Sequence, residues 1–218
     1  MPLMVSSLLT RRGLLAAGAV LAMTPALNPQ ARAAPARRVA VLGDSITAGY
    51  GLPASQALPA RLQAELARMG QPVRVIPAGV TGDTTAGGAA RVDRAVPRDV
   101  DVCVVALGGN DLLLGAEPKA VRANLDRIVR RLKGRGVTVV LAGVRVPALL
   151  GGTYAREFNG AFASVAKTHG VLFLPDLLEG VALNPNLNQR DGIHPNAAGV
   201  SLIARRLAPL VARGLRAG

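Results

Sequence analysis

Arg38-Val39-Ala40-Val41-Leu42-Gly43-Asp44-Ser45-Ile46-Thr47-Ala48-Gly49-Tyr50-Gly51 begins with a short apolar run, β-branched at Val39 and Val41. Such a run reads as a fully buried strand. It leads directly into Gly43-Asp44-Ser45, where glycine and aspartate let the backbone turn sharply. A serine hydroxyl then stands at the carboxyl end of a buried strand, the edge on which open α/β sheets bind ligands. Ser45 is equally suited to a plainer role, capping a following helix. The rest of the chain decides between the two.

Downstream, helical and extended patterns alternate across short Gly/Pro connections. Residues 58–69 are amphipathic, with Leu58, Leu62 and Leu66 opposed to Arg61, Gln63 and Glu65, and they stop at Gly70. Strands are expected at 73–78, 101–107, 137–142 and 171–174. The run at 101–107 is the most continuously apolar and so belongs at the centre of a parallel sheet. Helices are expected at 119–133, at 154–167 and, closing the chain, at 196–215. Alternation of this kind implies βαβ crossovers, a parallel sheet and helices on both of its faces. No repeat or low-complexity linker suggests a second domain.

Residues 1–33 read differently. Arg11-Arg12 precede the uncharged stretch 13–23, and Ala31-Arg32-Ala33 supplies small residues for cleavage. This is the pattern of an export signal, and Thr10-Arg11-Arg12-Gly13-Leu14-Leu15 is twin-arginine-like. The expected division is therefore a signal peptide over 1–33 and one domain over 34–218, with an exported, periplasmic destination. The single cysteine, Cys103, sits in an apolar run and reads as a small core residue. No Cys/His zinc pattern occurs.

The chain carries a formal charge of +13, of which Arg11, Arg12 and Arg32 supply three, leaving about +10 beyond the signal. Nucleic acid is not the expected partner: aromatics make up only 2% of the residues, too few for base stacking. The surplus describes a solvated, arginine-rich surface, one also suited to peripheral contact with an anionic membrane.

Polar motifs follow four of the strands: Gly43-Asp44-Ser45, Gly79-Val80-Thr81-Gly82-Asp83-Thr84, Gly108-Gly109-Asn110-Asp111 and, before the last helix, Asp191-Gly192-Ile193-His194-Pro195. In a parallel sheet all strand carboxyl ends share one edge, so these motifs converge whatever the strand order. Their residue types suit acyl transfer. A serine nucleophile needs a base, and only His169 and His194 are on offer. His169 falls at the end of a helix, where imidazole serves the last carbonyls. His194 is held extended by Pro195, and Asp191, three residues earlier, is within reach of its Nδ1–H. Asp191-Gly192 is also a common turn pair. For the developing oxyanion, Gly82 offers an unobstructed N–H and Asn110 a neutral NH₂; glycine at 82 could instead serve only a positive φ, and asparagine at 110 only a helix cap. Leu112-Leu113-Leu114 and residues 146–150, with Leu149 and Leu150, are candidates to line an acyl groove, or simply to pack beneath loops.

These four blocks resemble those of the SGNH (GDSL-type) hydrolases, most of all the branch of periplasmic thioesterase I, lysophospholipase L1 and arylesterase. The similarity runs from Val39 to the closing helix. It departs from the family at Pro77, where the second block usually begins with asparagine, and at Thr81, which replaces the common serine. The resemblance implies a three-layer α/β/α, flavodoxin-like domain around a five-stranded parallel sheet. It implies a Ser45–His194–Asp191 triad and an oxyanion hole from the N–H groups of Ser45 and Gly82 with the Asn110 side chain. It implies hydrolysis of small acyl esters, thioesters or lipids through an acyl-enzyme, with no metal or cofactor. The competing readings are a carbohydrate O-acetylesterase on the same scaffold and a non-catalytic lipid-binding module.

Overall fold

A computed structural model describes residues 37–146 and 152–217. The proposed signal segment, and Leu149 and Leu150, lie outside the described residues. Five strands form one sheet: β1 (Arg37–Gly43), β2 (Val73–Gly79), β3 (Val102–Ala106), β4 (Thr138–Ala142) and β5 (Leu172–Leu174). All neighbours are parallel, in the order β2-β1-β3-β4-β5. This is the flavodoxin-like order, in which the chain reverses its direction of winding between β1 and β3. The expected fold class is the observed one.

β3 is buried at all five positions, as its unbroken apolar run required. The pleat sends alternate side chains to opposite faces. Ala40, Leu42, Cys103, Val105, Val139 and Leu141 enter one core layer, and Val39, Val41, Val104 and Val140 the other. Burial pushes the Cys103 thiol up to about 12, so it remains a neutral core group.

The first layer is covered by α3 (Thr85–Ala95), α5 (Pro118–Lys133) and α6 (Thr153–His169). The second is covered by α2 (Leu58–Arg68) and α7 (Ala197–Ala217). α5 buries Val121, Leu125, Ile128, Val129 and Leu132 along one stripe, and each large side chain there contributes about 1.5–3 kcal/mol. Pro118 opens it without wasting an amide hydrogen, and Arg130, Arg131 and Lys133 suit the negative end of its dipole. α6 buries Phe158 and Phe162 fully and ends at left-handed Gly170. His169, at that end, is bonded through Nε2 to Asp126 Oδ1 of α5 at 2.7 Å.

α3 is an element the apolar periodicity of the sequence does not announce. Two short helices, α1 (Ser45–Ala48) and α4 (Gly109–Leu113), follow β1 and β3, so they flank the point where the winding reverses. Pro77 pairs in register with Val41 on β2, an edge strand, where a residue without an N–H is tolerated.

Candidate active site

The alternative roles of Ser45 separate at the first turn of α1. Asp44, not Ser45, is the capping residue: its Oδ1 accepts the Ile46 N–H at 3.0 Å. The serine hydroxyl is thereby left for other work. Ser45 is only 6% exposed, and its Oγ lies 3.0 Å from His194 Nε2 across a separation of 149 residues.

His194 belongs to the loop between β5 and α7. An antiparallel bridge between Asn188 and Pro195 closes this loop, and the Gln189 N–H donates to the His194 carbonyl at 2.8 Å. Gln189 Nε2 also donates to the carbonyls of Tyr50 (2.8 Å) and Pro195 (3.1 Å), joining the histidine loop to the segment just after Ser45. The Tyr50 ring lies against His194, centroids 4.5 Å apart.

Asp191 forms a tight local turn. One oxygen accepts the N–H groups of Ile193 (2.9 Å) and His194 (3.0 Å), and the other accepts His194 Nδ1–H at 2.7 Å. The His194 backbone N–H, then its side chain, then the Ile193 N–H hold the Asp191 carboxyl at about 2, well below the usual range. An ionised carboxylate can only accept. The hydrogen therefore sits on Nδ1, and the lone pair of Nε2 faces the Ser45 O–H. Asp44 is displaced in the opposite direction: burial raises its carboxyl to about 6, against the lowering effect of the Ile46 N–H.

Gly82 occupies the third position of a turn closed by the Asp83 N–H on the Val80 carbonyl at 3.1 Å. Its φ of 79° is left-handed, and a Cβ there would meet nothing within 4 Å. Positive φ and open approach thus coincide at this glycine. Asn110 is not a helix cap; its Nδ2 donates to the Asp83 carbonyl at 2.8 Å. A primary amide carries two hydrogens, so one of them remains for a ligand.

Ser45, His194, Asn110, Leu112 and Leu113 line one cavity of about 830 Å³, with Val144, Val146, Leu178, Leu183 and Ile193 adding apolar wall. Gly82 sits on the turn beside this cavity rather than in its lining, tied to it through Asp83 and Asn110. Sequence reasoning missed the buried ion pair beneath that turn: Arg91 Nε donates to Asp83 Oδ2 at 2.7 Å, each side chain only 9% exposed. It also missed Gln189 and the carboxylate of Asp111, which accepts the Thr85 N–H at 2.8 Å. Opposite charges eight residues apart, in a segment with no legible helix, gave no signal.

Comparison with known proteins shows the family. Residues 41–202 match the model of the GDSL-like Lipase/Acylhydrolase family. The chain is 38% identical to esterase TesA of Pseudomonas aeruginosa over 166 residues, covering 76% of this chain and 83% of the relative. It is 37% identical over 188 residues to the thioesterase 1/protease 1/lysophospholipase L1 of Escherichia coli K12, covering 83% and 88%. Among solved structures it is similar to TesA, with a TM-score of 0.77 at 34% identity over 82% of this chain and 99% of that one. It is also similar to AlinE4, an SGNH-hydrolase family esterase, with a TM-score of 0.69 at 39% identity over 84% and 98%. This protein is therefore a serine hydrolase of acyl esters, and it belongs to the GDSL-like lipase/acylhydrolase family, the SGNH hydrolases.

Proposed function

We propose that Ser45 is the nucleophile, His194 the general base and acid, and Asp191 the group that orients His194. Attack of Ser45 Oγ on the acyl carbonyl sends the hydroxyl proton to His194 Nε2 and charge to the carbonyl oxygen. The N–H groups of Ser45 and Gly82 and the Asn110 amide receive that charge. Collapse expels the alcohol or thiol, which takes the proton from Nε2, and leaves an acyl-enzyme. Water, deprotonated by the same nitrogen, then releases the acid and restores Ser45. The observation that carries this reading is the unbroken hydrogen-bonded line from Ser45 through His194 to Asp191.

The substrates we infer are medium-chain acyl esters, including lipid esters, rather than acetyl esters. Leu112, Leu113, Leu183 and Ile193 supply an apolar wall beside the nucleophile. Of the seven large apolar side chains exposed among the described residues, six (Tyr50, Val80, Leu113, Leu114, Leu183 and Ile193) belong to segments of this edge. Apolar exposure on this edge, with Leu113, Leu183 and Ile193 lining the cavity itself, suits a greasy acyl chain or an aggregated substrate. The arginine-rich surface would favour an anionic lipid surface as the place of action, and residues 1–33 would direct the protein out of the cytoplasm.

A p-nitrophenyl ester series from acetate to dodecanoate, run beside an acetylated sugar, tests the assignment. Highest kcat/KM at medium length, with Ser45→Ala inert at an unchanged unfolding midpoint, is the expected result. Preference for acetate or the acetylated sugar would replace the lipid reading with that of an O-acetylesterase. Undiminished turnover by Ser45→Ala would remove the triad.

A further inference from the structure

Beneath the reactive edge lies a buried cation that takes no part in the proton transfers above. The Arg91 guanidinium projects from α3 and spends all three of its nitrogens on separate partners. Nε donates to Asp83 Oδ2 at 2.7 Å, one Nη to the Ala78 carbonyl at 2.9 Å and the other to the Gly43 carbonyl at 2.9 Å. Gly43 is the last residue of β1, two before Ser45. Ala78 lies at the end of β2, and Asp83 follows Gly82. The Gly43 carbonyl also accepts the Val80 N–H at 3.1 Å, and the Asp83 carbonyl holds Asn110 Nδ2 at 2.8 Å. The planar fork thus holds the chain two residues before Ser45 and at the residue after Gly82, whose carbonyl in turn holds Asn110.

The surroundings are shaped around this contact. A Cβ on Gly87 would collide with the Asp83 carboxylate, so the first turn of α3 makes room for that side chain. The remaining Asp83 oxygen accepts the Thr84 N–H at 3.1 Å, which fixes the carboxylate from its other side.

We propose that Arg91 is a positioning residue for the oxyanion hole, setting through Asp83 the relative placement of the Ser45 N–H, the Gly82 N–H and the Asn110 amide. The inference rests on the oxyanion roles proposed above and deepens them. A rigid, planar guanidinium suits the task because it holds three acceptors in fixed directions, which an ammonium cannot do. Donors misplaced by a fraction of an ångström lose strength on the transition state while leaving ground-state binding nearly untouched.

The test is Arg91→Lys, alone and combined with Asn110→Ala, assayed with p-nitrophenyl butyrate and with a reversible alkyl trifluoromethyl ketone, whose serine adduct carries an oxyanion. Circular dichroism and active-site titration normalise each rate to folded enzyme. We expect kcat to fall about tenfold with KM nearly unchanged, and ketone affinity to fall by about the same factor. In the Asn110→Ala background the further loss should be at most about threefold, because residues acting through one another are not additive. Full kcat and full ketone affinity in Arg91→Lys, with only a lowered unfolding midpoint, would make Arg91 a structural cross-link and overturn the proposal. Losses that simply multiply would overturn it too. If Arg91→Lys does not fold, Asp83→Asn, nearly identical in shape, carries the same test with the same expected split between kcat and KM. An Asn110→Ala enzyme with full kcat would defeat the oxyanion assignment itself. An impaired Asn110→Ala enzyme beside an intact Arg91→Lys enzyme would defeat this proposal alone.

Discussion

Asn110 donates its side-chain amide to the carbonyl of Asp83 at 2.8 Å, a hydrogen bond that joins the segments following β2 and β3. The second amide hydrogen is free for the oxyanion role proposed above. Asn110→Ala should lower kcat by roughly 10²–10³ with little change in KM, the usual loss for a missing oxyanion donor. Steady-state kinetics on one ester suffice. A change confined to KM would assign Asn110 to substrate binding instead.

Asp191 is nearly saturated by its own turn, and those donors keep it ionised down to a pH of about 2. Loss of activity on mild acidification therefore does not come from protonation of Asp191. Asp191→Asn removes the charge and admits the wrong imidazole tautomer. It should lower kcat by about 10⁴ at neutral pH while the fold persists. Retention of a tenth of the activity would show that the turn, not the charge, orients the ring.

Asp44 makes the opposite contribution. Its folded-state value of about 6 lies above the ordinary 3.8 because of burial. Between those values the native state holds a proton that the unfolded chain has released, so stability declines as pH rises through this window and is level above it. The loss amounts to at most about 3 kcal/mol. Asparagine caps helices as well as aspartate does. Asp44→Asn should therefore unfold at higher temperature than the parent at pH 8 and at nearly the same temperature at pH 4. An advantage independent of pH would contradict the assignment.

Leu183 lines the cavity with its backbone in the left-handed region, φ 63°, and its side chain 80% exposed. For a residue with a Cβ this conformation costs about 1–2 kcal/mol, and strain of this kind gathers at functional sites. Leu183→Gly should raise the unfolding midpoint by about 2–4 °C while lowering kcat/KM for octanoyl esters more than for acetyl esters. Equal effects on both chain lengths would remove Leu183 from the acyl wall.

Much of this was legible along the chain because both signals are local. Strands buried on two faces must be apolar throughout, as β3 is, and the polar blocks stand directly at strand ends. The hydrogen-bonded set of Ser45, His194 and Asp191 was legible for the same reason: Asp191 and His194 are three residues apart, and Ser45 lies two residues beyond the end of the most readable strand. What stayed hidden depends on close approach. α3 lies so near the end of β3 that a Cβ on Gly88 would collide with Leu107. Small residues replace the apolar stripe by which a helix is recognised, and with the helix went Arg91. The capping role of Asp44 and the bond from Asn110 to Asp83 depend on side-chain direction, which residue type alone does not specify. Leu112 and Leu113 line the cavity.

The clasp formed by Gln189 on the Tyr50 carbonyl joins segments made 139 residues apart in the order of synthesis. A ribosome releases the Ser45 loop well before the Gln189–His194 loop, so the nascent polypeptide stays chemically silent until the later segment docks. Regain of turnover during refolding should for the same reason lag behind the return of helical signal, which makes hydrolysis itself a reporter of the last step of assembly.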